Sequence, residues 1–148
     1  VKGYTSLDFA KLYNLSFNFK YDFAENWQWK GSLTYARAKD HTGGNLPFIR
    51  PMSYLTSLRL RQYPFSVFAS VQGDLAQNHF SPEYGEDRTP AYTIMDISAD
   101  YSWVFCHQAV TLQAGVQNLF NQYYTTYADW GNIPRMGRNI FVGMKINF

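Results

Sequence analysis

No stretch of this chain is apolar for long. A helix that crosses a bilayer needs about 20 mostly apolar residues in succession. No such run occurs among the 148 residues, so helical membrane spans are excluded. Cysteine is nearly missing, with Cys106 the sole example, and an intrachain disulfide is therefore impossible. Charge is scarce as well, at 16% of residues against about 25% in average domains. The net charge of +2 comes from scattered basic residues, so no stripe exists to track a phosphate backbone and nucleic acid is not an expected partner. His41, His79 and His107 fall in three different connections without metal-ligand spacing, and no metal site or cofactor is expected from them. The acidic stretch Glu83-Tyr84-Gly85-Glu86-Asp87 reads as a solvated loop. No Ser-His-Asp or paired-carboxylate motif stands out, so the chain is not expected to be an enzyme. The start, Val1-Lys2-Gly3-Tyr4, has no charged segment followed by an apolar one and is no signal peptide. The expectation is that an export signal was removed, or that the chain is part of something longer.

What is abundant is aromatic: 12 Tyr, 12 Phe and 4 Trp make up 19% of the chain. Mean hydropathy is nevertheless negative, at −0.35. A transmembrane barrel reconciles the two, because alternate residues face lipid and a polar lumen dilutes the average. The dominant pattern has period 2 and occurs seven times. Tyr13, Leu15, Phe17, Phe19, Tyr21 and Phe23 alternate with Asn14, Ser16, Asn18, Lys20 and Asp22, which predicts a strand with one apolar and one polar face. Further strands are predicted from Trp27 to Tyr35, Met52 to Arg61, Phe65 to Leu75, Met95 to Trp103, Val110 to Gln117 and Asn139 to Phe148. Leu55 interrupts the polar side of the third.

Connection lengths alternate too. Short turns fall at Ala24–Asn26, Gln62–Pro64 and Val104–His107, and long loops at His41–Pro51, Asn78–Pro90 and Leu119–Arg138. Up-and-down outer-membrane barrels distribute their turns in this way, with the long loops outside the cell. A soluble sandwich or lipocalin-like barrel also alternates. Its outer face is usually rich in Lys and Glu, whereas the polar faces here are mainly Ser, Asn, Gln, Thr and Asp. Tyr21, Phe23, Trp27, Trp29, Tyr63, Phe65, Tyr101 and Trp103 all flank the short turns, as an interfacial aromatic girdle would. Seven strands cannot close a barrel without mismatched edges, so the chain is expected to be a C-terminal fragment completed by strands elsewhere.

The stretch from Gly115 through Asn118-Leu119-Phe120-Asn121 to Tyr124 resembles the "G-x-x-N-L-F-(N/D)-x-x-Y" signature of TonB-dependent outer-membrane receptors. Pro134-Arg135-Met136-Gly137-Arg138 through Gly143 is similar to the "P-x-x-G-R-x-x-x-x-G" segment that enters their closing strand. Leu46-Pro47-Phe48-Ile49-Arg50-Pro51 resembles the "L-P-x-I-P-P" loop. Thr89-Pro90-Ala91-Tyr92-Thr93-Ile94-Met95-Asp96 resembles "P-G-Y-T-x-x-D", with Ala91 in place of Gly. The resemblance implies a plugged barrel of about 22 strands, of which residues 1–148 would supply roughly strands 16 to 22. It further implies a bacterial outer-membrane location, surrounding lipid, the plug and remaining strands as partners, and TonB acting through a plug outside this sequence. The cargo class would be a scarce nutrient such as an iron-siderophore, cobalamin, a metal, a glycan or a peptide. A porin or adhesin without energised gating is the competing reading, as is a barrel fragment that serves as substrate of the assembly machinery.

Three loop residues have readable roles. Gly137 is expected to supply a positive φ, Arg138 to reach a carboxylate, and Asn118 to close an Asx-type turn. Tyr123, Tyr124, Tyr127 and Trp130 lie on one long loop and are the candidate ligand-binding residues, since exposed rings stack on sugars, siderophores or peptides. Packing between loops is the competing use of those rings. Val142, Met144, Ile146 and Phe148 match the terminal β-signal that the barrel-assembly machinery recognises in this class; strand addition would give affinity through backbone pairing and register through alternate side chains.

Overall fold

The structure, a computed structural model, describes residues 8–106 and 108–147. Its strands are β1 (Ala10–Ala24), β2 (Trp27–Asp40), β3 (Ser53–Gln62), β4 (Phe65–Asp74), β5 (Tyr92–Phe105), β6 (Gln108–Gln117) and β7 (Asn139–Asn147). Each pairs antiparallel with the next, in the order β1-β2-β3-β4-β5-β6-β7. The result is a single up-and-down sheet, as the alternation predicted. Helix among the described residues is confined to two 3-10 turns, Pro82–Tyr84 and Trp130–Asn132.

Register carries the alternation from strand to strand. One row runs Trp27, Leu60, Val67, Ala99, Ala114, Val142 across six strands. The adjacent row, on the opposite face, runs Gln28, Arg59, Phe68, Ser98, Gly115, Phe141. The first face is called outward here and the second inner. A slip of one residue anywhere would exchange the faces of a whole strand.

The sheet has almost no conventional core. Ala38, Ile94 and Val110 are the buried apolar residues among those described, whereas Leu15, Phe17, Ile140 and Val142 are each more than 60% exposed. At about 25 cal/mol per Å² of apolar surface, leaving such a face in water is unfavourable. It becomes favourable once the face meets hydrocarbon.

Strand ends near the short turns are aromatic on the outward face. Phe19 and Trp29 meet edge-on at 4.8 Å, and Phe65 and Tyr101 lie 4.9 Å apart. Phe23 stacks on Trp27 across the first turn at 5.9 Å. The Trp29 indole donates to the Thr56 hydroxyl at 2.8 Å, so its polar edge is satisfied on the apolar face.

Three features were not visible in the pattern. β2 continues past Tyr35 to Asp40, because β1 begins at Ala10 and pairs with it throughout. Beyond Leu55, which the sequence already placed there, the inner face carries Phe68, Ile94 and Phe141 among its polar residues. The Arg59 guanidinium lies 4.8 Å above the Phe68 ring. Phe141 lies so close over Gly115 that an added Cβ there would fall 2.6 Å from its ring and 2.8 Å from the Ile97 carbonyl oxygen. Glycine at 115 is therefore a requirement of close approach.

Candidate functional site

All three long connections leave the same end of the sheet and dock on one another. The loop 41–52 is held to the loop 75–91 by Gln77, whose amide donates to the Ile49 carbonyl at 2.8 Å, and by Ser81, whose hydroxyl donates to the Asn45 carbonyl. Glu86 accepts backbone N–H groups from both loops, at Phe48 and at Ser81. The acidic stretch read as a solvated loop thus has one buried carboxylate that serves as a clamp.

Asp74, at the end of β4, is only 3% exposed. Its Oδ1 accepts from Arg50 Nε at 3.1 Å and Nη2 at 2.9 Å, and its Oδ2 accepts from the Tyr92 hydroxyl at 2.9 Å. The Tyr92 ring in turn packs against Tyr124 at 4.6 Å. One carboxylate therefore connects the 41–52 loop, the head of β5 and the 118–138 loop.

That third loop is built on asparagines. Asn118 adopts φ 48 and Asn121 φ 53, left-handed conformations that asparagine tolerates better than most residues. Asn118 Oδ1 accepts the Gln122 N–H at 2.8 Å, and its Nδ2 donates to the Gln122 carbonyl at 2.9 Å. Asn118 thus satisfies loop backbone groups as expected, but by a closure four residues on rather than by the two-residue Asx turn. The expectations for Gly137 and Arg138 are corrected. Gly137 has no positive φ. It is needed because an added Cβ would sit 2.5 Å from Asn121 Oδ1, the atom that accepts the Arg138 N–H at 2.8 Å. Arg138 makes no ion pair with a described residue. Arg135 does, reaching Asp129 with Nη2 at 2.6 Å and Nε at 2.8 Å.

The Arg135 hydrogen bond, reinforced by the N–H and hydroxyl of Thr126, holds the Asp129 carboxyl below its ordinary pKa. A depressed carboxylate stabilises the folded loop above its unfolded value of about 3.9 and loses that contribution as pH falls through the folded value. Hydrogen-exchange protection across 118–138 in the folded full-length protein, taken relative to the intrinsic rate at each pH, is therefore expected to be high at pH 6 and to fall toward pH 3. Asp129→Asn should show low protection at both. A wild-type loop equally protected at pH 3 would remove this pair from the account.

Beneath the loop lies a cavity of about 360 Å³ on the inner face. Gln72, Asp96, Gln117 and Asn139 line it from the strands, and Tyr124 and Arg135 from the loop. Burial pushes the Tyr124 phenol above its ordinary pKa. The donors and acceptors are mostly amides, with one carboxylate, one guanidinium and the Met136 thioether nearby.

The four aromatic candidates do not converge. Tyr124 borders this cavity. Tyr123 is 73% exposed. Tyr127 faces a small gap of about 20 Å³ shared with Phe48 and Glu86, room for about one water and no ligand. The Trp130 side chain and Phe148 lie outside the described residues, as does His107. Val142, Met144 and Ile146 share the outward face of β7. Sequence reasoning missed Gln72, Asp96, Gln117, Asn139 and Arg135. The signal for the first four was the polar phase of each strand read at its long-loop end; Arg135, on the loop, had none. Among the described residues no group of three or more His, Cys, Asp or Glu is placed to hold a metal.

Comparison with known proteins agrees with this architecture. The family described as TonB dependent receptor-like, beta-barrel matches residues 3–119. Among solved structures, one described as "Copper transporter OprC" superposes with a TM-score of 0.81 at 24% identity, over 91% of this chain. The chain spans 24% of the length of that structure. No curated protein sequence matches it.

Proposed function

Because the chain belongs to the TonB-dependent receptor-like β-barrel family, we propose that it supplies closing strands and external loops of an outer-membrane receptor for energised uptake of a scarce nutrient. The observation that carries this reading is the division of the sheet into two faces. The outward rows are apolar with an aromatic girdle at one end, and the inner rows lead up to a polar mouth roofed by docked loops. That arrangement suits a bilayer on one side and a plugged, wet lumen on the other. The free edges of β1 and β7 would be joined by further strands, since unpaired backbone is not tolerated in hydrocarbon.

An organic or chelated nutrient fits the mouth better than a bare ion. Amides, a carboxylate and a guanidinium around Tyr124 offer hydrogen bonds and a ring face, the usual means of orienting a polar organic ligand. Siderophore, cobalamin, glycan and peptide classes all remain compatible with it. Copper, the cargo named for the structural neighbour, would need softer donors than one thioether. Tyr123, Tyr124 and Trp130 stand as proposed contacts, with Tyr124 the best placed; the gap beside Tyr127 holds about one water, and that ring is left to packing between loops. Val142, Met144, Ile146 and Phe148 are proposed as the assembly signal. No enzymatic role is proposed.

Two measurements test the reading. The parent gene is expected to encode a plug domain ahead of this barrel segment, and its absence would sink the receptor assignment. Uptake of a panel of ferric siderophores, cobalamin and copper by cells expressing the full protein should depend on TonB. Equal uptake with and without TonB would favour a porin instead.

A further inference from the structure

The outward rows of the seven strands contain no acidic residue, and their charged residues are three: Lys11, Arg37 and Lys39. All three lie at the long-loop ends of β1 and β2. Lys11 stands directly opposite Lys39, and Arg37 opposite Tyr13. Like charges in facing positions destabilise a sheet when nothing neutralises them. None of the three forms an ion pair with a described acid; the ion pairs of the described residues are elsewhere. The Nε of Arg37 is buried without any hydrogen-bond partner, an arrangement that is costly unless an anion completes it. Tyr13 and Tyr35 sit one step toward the apolar band, at the depth where amphipathic rings meet headgroups. Beside them is a cavity of about 450 Å³ whose lining includes Tyr35, Arg37, Arg50, Met52, Leu75 and His79.

We propose that this corner of the outward face binds the phosphorylated headgroup of an outer-leaflet lipid. Arg37 supplies a planar donor set to a phosphate oxygen. Lys11 and Lys39 neutralise the remaining charge, and the phosphate relieves their mutual repulsion. Tyr13, Tyr35, Met52 and Leu75 take the first carbons of the acyl chains. The position explains why cations stand on a face otherwise free of charge. The inference rests on the outer-membrane reading above.

The test uses the purified full-length receptor in detergent and native mass spectrometry, with lipid A, dephosphorylated lipid A and inorganic phosphate as probes. Arg37→Gln combined with Lys39→Gln is expected to weaken lipid A binding about 30-fold, at the scale of roughly one fivefold step per cation lost near a membrane surface. Arg37→Lys should retain most of the affinity. Dephosphorylated lipid A should bind wild type and double variant alike, and millimolar inorganic phosphate should not displace lipid A. Equal lipid A affinity in wild type and double variant overturns the proposal, as does full displacement by inorganic phosphate, which would mark a site for free anions. Heat-modifiable mobility on gels reports folding of each variant separately. A wild type that does not insert into vesicles would refute the membrane reading itself, a different failure from loss of lipid selectivity.

Discussion

Ala114→Arg is expected to destabilise the folded receptor in bilayers by about 2–4 kcal/mol, while Gln113→Arg, one residue away, leaves it folded. Ala114 lies mid-strand in β6, opposite Ala99 on β5 and Val142 on β7. An arginine there must either leave its guanidinium in hydrocarbon or stretch along the barrel wall toward the headgroups. Gln113 points the other way, in a row with Asp100 and Gly143. Added positive charge there meets a wet interior and a carboxylate with an unpartnered oxygen, Asp100 Oδ1. Denaturant unfolding of the full-length protein in vesicles measures both. Equal costs at 113 and 114 would mean that the two faces are not lipid and lumen, and the membrane assignment would fail with them.

The second large effect concerns the loops rather than the wall. Asp74→Ala removes both oxygens that hold Arg50 and Tyr92. Hydrogen bonds to a charged group contribute about 1.5–3 kcal/mol each. The Arg50 side chain is half exposed, however, and water will replace part of what it loses. A net loss of about 2 kcal/mol in docking of the 41–52 and 118–138 loops is expected, roughly 30-fold in their opening equilibrium. Hydrogen exchange in these loops should accelerate by that factor while the strands stay protected. Uptake should fall with it, because Tyr124 loses the support of Tyr92 against the mouth cavity. Unchanged loop exchange in Asp74→Ala would show that the three loops are held independently.

Much of this architecture is present in the order of residues. Period 2 at Tyr13–Phe23 assigned β1 and its faces, and alternating turn lengths placed the three long loops at one end. Phase did this reliably because the two solvents of a membrane barrel impose opposite demands on neighbouring residues. The same demand relaxes toward the strand ends, which is why the pattern lost β2 after Tyr35. Ala36, Arg37 and Ala38 have no clear alternation, and only pairing with β1 shows that the strand continues to Asp40.

The candidate site was far less legible. The aromatic run at 123–130 suggested a ligand platform, yet packing sends Tyr124 to the cavity and Tyr127 into a loop junction. Arg135, six residues from Asp129, rather than Arg138, makes the ion pair. Sequence spacing could not decide this, because the loop turns at left-handed Asn118, Asn121 and Asn132 and each such turn redirects every side chain after it. By itself, then, the sequence determined the strands, their faces and the end at which the loops gather, since these follow from local alternation against two solvents. Only the tertiary structure decided which loop residues meet around Asp74, which cations are left unpaired on the outward face and which polar groups share the mouth. Those juxtapositions join residues far apart in the chain, through register and loop docking that no local pattern encodes.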